Sequence, residues 1–165
     1  MPIKIGEKDY KHTLENALER CFYTQDGKEF FNWDRYSNLM YRLGFEIIDF
    51  NFEGDCQDYA FTKIGFPEFG FKNYGSVQRE LINGRVPGLK QTETFSDGNL
   101  IAYYYRDFEY DIEEHPTPYV HYGILREKEG NFFVESKFGK GNIPVIKHPL
   151  NYFYHGNYID MYQLR

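Results

Sequence analysis

Cysteine is scarce in this chain: Cys21 and Cys56 are the only two in 165 residues. Two thiols do not make a disulfide scaffold, and neither belongs to a CxxC pair or lies near histidines at zinc-finger spacing. Long apolar runs are missing as well. No stretch of about 18 apolar residues offers a membrane span, and the opening MPIKIGEKDYKH lacks the apolar run of a secretory signal. An excess of positive charge is also absent. The net charge of -6 opposes wholesale binding to DNA, RNA or an anionic membrane, because those partners depend on a positive field and counterion release. A local basic spot such as Lys137, Lys140 and Lys147 stays compatible with that balance. The stretch EEHP at 113–116 lacks the i, i+4 histidines of HExxH, and GKGN lacks the strand and helix context of a phosphate loop. The expectation is therefore no metal, no cofactor, no nucleic acid and no membrane. The expected location is the cytoplasm, or outside the cell by a route that reads no signal peptide.

Aromatic residues are abundant: 16 Tyr and 16 Phe, within a chain that is 41% hydrophobic. That is enough material for the core of a single domain of this length. Residues 9 to about 23 carry a helical periodicity that puts Leu14, Leu18, Cys21 and Phe22 on one face, with Cys21 as a core residue. A second helix is expected from Trp33 to Leu43, stopped at Gly44. FEIIDFNF at 45–52 reads as a strand or an extended lead-in. A short helix follows from Cys56 to Ile64, halted by Gly65 and Pro67, and SVQRELING at 76–84 reads as another. From residue 98 onward the chain is a strand series: GNLIAYYYRDF, YVHYGILRE, NFFVESKFG and NYIDMYQLR, with EKEGN as a short turn. Helices first and strands afterwards predict an α+β domain with a mostly antiparallel sheet. The division expected is a helical N-terminal extension at 1–53 and a core at 54–165 within one domain.

GDCQDYAFTKIG places Cys56 directly after a residue type that caps helices. A thiol at a helix start is favoured as thiolate by the unsatisfied amides and the dipole there, and the same amides can face the oxyanion formed by attack on a carbonyl. His121 in YVHYGILRE is the candidate base. Alternation groups His121, Gly123 and Leu125 on one strand face, and Gly123 leaves room for a helix end or a substrate. The next strand supplies a third polar group, Glu135 or Ser136 on opposite faces. Glu135 is favoured because a carboxylate stabilises imidazolium better than a hydroxyl does. Lys137 and His148 are read as structural support, His148 as a loop residue in KHPL. The tyrosines at 103–105 are read as core and interface material with a possible binding surface.

Three runs in order, Asp55-Cys56-Gln57-Asp58-Tyr59-Ala60, Gly98-Asn99-Leu100-Ile101-Ala102-Tyr103 and His121-Tyr122-Gly123-Ile124, resemble papain-like cell-wall amidases of the NlpC and CHAP type. In those families an Asp-Cys or Asn-Cys opens a helix, a Gly-Asp-Leu strand follows, and a His-Val-Gly-Ile strand brings the base. The tail, Ser136-Lys137-Phe138-Gly139 and His148-Pro149-Leu150, is similar to a less-characterised bacterial papain-like family with a Ser-Lys-aromatic-Gly or Ser-Lys-Leu-Gly motif and a later His. The resemblance covers roughly 54–165. Asn99 stands where the wall amidases have Asp, and Gln57-Asp58 where they have Ser-Gly.

The resemblance implies a cysteine peptidase, amidase, deamidase or acyl transferase: Cys56 attacks an amide, His121 shuttles the proton, and water releases the acyl-enzyme. The implied substrate is a peptide, a protein or a small amide. Without a signal peptide or a repeated wall-binding module, an intracellular amide is favoured over peptidoglycan. The alternative is a papain-like binding or interaction module that does not catalyse. The distance and relative facing of Cys56 and His121 separate the two.

Overall fold

The structure is a computed structural model that describes residues 3–5, 16, 19–49, 52–70, 72–104, 119, 121–137, 139, 143–150 and 158–165. Most of the helix expected at 9–23 lies outside them, as do the acidic run around EEHP, residues 140–142 of GKGN, and Tyr105. Three helices are described: α1 (Trp33–Arg42), α2 (Cys56–Lys63) and α3 (Tyr74–Ile82). The strands are β1 (Ile3–Lys4), β2 (Phe22–Gln25), β3 (Lys28–Phe31), β4 (Glu46–Asp49), β5 (Leu89–Thr92), β6 (Leu100–Tyr104), β7 (His121–Lys128), β8 (Asn131–Lys137), β9 (Val145–Pro149) and β10 (Tyr158–Leu164).

Local chemistry accounts for the element ends. Asn32 caps α1 by accepting from the Arg35 amide at 3.0 Å, and the helix stops at Gly44, whose φ of +86° is a left-handed conformation that suits glycine. Tyr36 and Met40, one turn apart, form its buried stripe. Two hairpins close through two-residue turns with both central φ positive, Asp26-Gly27 between β2 and β3 and Glu129-Gly130 between β7 and β8. That primed turn matches the right-handed twist of paired strands.

The main sheet is antiparallel throughout, in the order β1-β10-β6-β7-β8-β9-β4, with β5 also pairing along β10. The α+β expectation holds at this level. The division at residue 53 does not, because β1 and β4, both before residue 54, are strands of the main sheet. The N-terminal part is not purely helical either: Phe22 and Tyr23, expected at a helix end, begin β2.

Strand alternation gives the sheet two distinct sides. On one side α2 and α3 bury Cys56, Ala60, Phe61, Val77 and Leu81 against Leu100, Ala102, Tyr104, Tyr122, Ile124 and Tyr162. On the other, Ile101, Tyr103, Leu125, Val134, Ile159 and Met161 form a second cluster. Beside it on that side, α1 packs Tyr36 and Met40 with Cys21, Phe45 and Ile146.

Candidate functional site

Cys56 is the first residue of α2. The Asp55 side chain accepts from the Asp58 amide and the Asp58 side chain accepts from the Asp55 amide, each at 3.0 Å, a reciprocal capping box that holds the first turn. The turn is tied from further away as well. Lys137 of β8 reaches across to donate from Nζ to the Gly54 carbonyl, and its ammonium lies 5.8 Å from the Phe52 ring. Gln57 donates from Nε2 to the carbonyls of Phe69 and Lys72, each at 2.8 Å. A Cβ at Gly54 or Gly70 would fall within 3 Å of Asp58 atoms, so both glycines are required by close approach. Burial pushes the Lys137 ammonium below the ordinary lysine range, opposed by the charges of Asp55, Asp58 and Glu53. Lys137 is fully buried, so it contributes nothing to a basic surface spot. Cys56 itself is 7% exposed and packs among apolar and tyrosine side chains.

His121 does not join it. The register pairs His121 with Tyr103, and the two rings are 5.7 Å apart. Directly opposed residues of an antiparallel pair share a face, so His121 points to the side of Tyr103 and Leu125. Its neighbour Tyr122 points the other way, with its ring 5.5 Å from Phe61 of α2. The expected Cys56–His121 dyad is therefore corrected: the sheet lies between the two side chains.

The third group is corrected by the same alternation. Glu135 pairs with Ile124 on the Cys56 side, where it accepts from the Tyr59 hydroxyl at 3.2 Å and sits 3.4 Å from Arg126 Nε. The register of β7 and β8 places Ser136 across from Gly123 on the His121 side, and a Cβ on Gly123 would come 3.2 Å from Ser136 Cβ and 2.6 Å from Val134 Cγ1. Gly123 thus makes room for β8, not for a helix end or a substrate.

Ser136 is bound to His148, with Oγ and Nε2 2.8 Å apart. His148 is in strand β9, not in a loop, paired with Val134. Its Nδ1 lies 3.0 Å from the Pro149 carbonyl, which can only accept, so Nδ1 carries the proton of the neutral ring and Nε2 accepts from the serine hydroxyl. Burial lowers the His148 pKa to about 4. Ser136 and His148 are 0% and 2% exposed, and the pair is enclosed.

A further polar cluster lies on the α2 side, around Asp160, to which the sequence reading assigned no site role. Tyr119 donates from its hydroxyl to Asp160 at 2.5 Å and lies 2.6 Å from the Tyr162 hydroxyl, while Tyr104 donates to the other Asp160 oxygen at 3.4 Å. The Tyr119 amide donates to Gln78 of α3 at 3.0 Å. Burial raises the Asp160 carboxyl, and it raises Tyr119 and Tyr162 above the ordinary phenol range. Tyr103 and Tyr104 are buried, so they present no outer surface. Exposed aromatic side chains are instead found at Phe22, Tyr23 and Phe30 on the β2–β3 hairpin and at Tyr41.

Among the described residues no cluster of three or more metal-ligating side chains is present, and no helix is long and apolar enough to cross a membrane. Compared with known proteins, the chain matches no family model, no curated protein and no solved structure.

Proposed function

We propose that this chain is a binding or interaction module with a papain-like order of elements, and not an amide hydrolase run by Cys56 and His121. One observation carries the reading: β7 turns Tyr122, not His121, toward the helix that begins at Cys56. The other groups expected to do chemistry are engaged in holding the fold. Glu135 ties α2 to the sheet through Tyr59, and Ser136 and His148 satisfy each other in the interior. A polar group committed to a buried partner is costly to redirect toward a substrate.

A second reading is favoured by a different observation, the capped and cross-tied first turn at Cys56. It is the thiol-dependent amide hydrolase or acyl transferase, with the thiolate favoured by the helix start and a proton acceptor other than His121. Labelling with an iodoacetamide at several pH values separates the two. The module reading expects Cys56 to react slowly and with the pH dependence of an ordinary thiol. Rapid alkylation of Cys56 well below that pH range, lost in His121→Ala, would overturn it; rapid alkylation retained in His121→Ala would select the second reading.

A further inference from the structure

Asp160 of β10, Ala102 of β6 and Tyr122 of β7 form one cross-strand row on the α2 side. Ala102, between the other two, carries only a methyl group, and Tyr119 packs into the same cluster. The Tyr119 ring lies 6.0 Å from Tyr122, 6.4 Å from Tyr162 and 5.9 Å from Tyr104. Tyr104 stacks in turn on the partly exposed Tyr158 at 5.7 Å. A run of rings therefore leads from the surface at Tyr158 inward to Tyr119.

The Tyr119 hydroxyl stands between two partners of different kinds. Its single proton goes to Asp160 at 2.5 Å, the short end of the range for an O–H donor on a carboxylate. The Tyr162 hydroxyl, 2.6 Å away, is then the donor to the Tyr119 oxygen. The Tyr119 amide is held by Gln78 of α3 at 3.0 Å, so the residue is fixed at both ends. Two other tyrosines lack this setting. Tyr103 donates to the Leu150 carbonyl, which cannot keep a proton, and Tyr59 donates at 3.2 Å to Glu135, a carboxylate already beside Arg126.

Loss of one electron turns a phenol hydroxyl into a strong acid. In the interior the resulting cation is costly unless an acceptor takes its proton. At Tyr119 the acceptor is in place: the oxidant gains one electron, the Tyr119 O–H bond breaks, and an O–H bond forms on Asp160. A neutral phenol and a carboxylate thus become a neutral phenoxyl radical and a neutral carboxylic acid. Burial, which raises the Asp160 carboxyl, favours that product. Tyr162 keeps its hydrogen bond to the radical oxygen, and with Tyr119 4% and Tyr162 1% exposed the radical is shielded from solvent.

We propose that Tyr119, with Asp160 as its proton acceptor, is a one-electron redox site that takes oxidising equivalents from radical oxidants. A one-electron reductant of the ascorbate or thiol class returns the electron, and Asp160 returns the proton.

Flash photolysis of the full chain with tris(bipyridyl)ruthenium and persulfate, read by electron paramagnetic resonance, tests the assignment. A long-lived tyrosyl radical is expected in the wild type, lost in Tyr119→Phe, which keeps the ring, and unchanged in Tyr103→Phe. Asp160→Asn removes the acceptor and is expected to lower the radical yield at least about tenfold, the worth of a hydrogen bond to a charged group. No long-lived radical in the wild type, one that persists in Tyr119→Phe, or full yield in Asp160→Asn would overturn the proposal. Should a variant fail to fold, electron–nuclear double resonance of the wild type in deuterium oxide decides. Two exchangeable deuterons bonded to the radical oxygen are expected, from Asp160 and Tyr162; fewer would overturn it.

Discussion

The two sides of the sheet are built from the same strands yet hold different chemistry. The α2 side has a thiol, carboxylates, a buried ammonium and a group of tyrosines around Asp160. The α1 side has two histidines, a serine, the other thiol, Cys21, and the tyrosines Tyr36 and Tyr103. Acid acts on them with opposite sign. His148 is held neutral, so its side loses stability as pH falls from 6.5 toward about 4. Asp160 has a raised pKa because it is buried, so the folded form takes up its proton first, and its side gains stability as pH falls through the raised value toward the ordinary 3.8. A sheet can thus separate two pH responses that a single cluster would average, because each side chain sees only the dielectric and partners of its own face.

The largest break in the comparison is expected at Phe61, fully buried between α2 and the sheet. Phe61→Ala should cost about 4 kcal/mol of global stability by urea unfolding, as truncation of a buried aromatic ring does. It should also accelerate labelling of Cys56 more than that of Cys21. A methyl group at Gly123 meets Val134 and Ser136 on the other side. Gly123→Ala is expected to cost about 2 kcal/mol through overpacking, with the greater gain in labelling at Cys21. Asp55→Ala removes the cap of α2 and should cost about 1 kcal/mol; a much smaller cost for Asp55→Asn would show that a neutral cap suffices, and equal costs for the two would show that it does not. The smallest effect is the most discriminating: His121→Ala should leave the alkylation rate of Cys56 within about twofold, since the sheet lies between them.

Much of the local structure was legible. The capping residue before Cys56, the Gly44 stop and the EKEGN turn each act within a few residues, and α1, α2 and the β7–β8 hairpin stand where these signals put them. The β2–β3 hairpin was missed although Asp26-Gly27 is a strong signal for a primed turn; the helical periodicity extended through Cys21 and Phe22 masked it. β9 was missed because Pro149 and Pro144 flank a short run, and His148-Pro149 read as a turn. Its strand character comes from pairing on both sides, with β8 and with β4.

By itself the sequence determined where helices start, where turns form and which residues carry chemistry, because capping, φ preference and hydrogen-bonding capacity belong to single residues and their close neighbours. Only the tertiary structure decided which of those residues meet. A strand repeats every two residues, so Glu135, Ser136 and Lys137 alternate between the two sides, and the pairing register, together with which face each helix covers, assigns each to its partner. That choice separated Cys56 from His121 and joined Ser136 to His148.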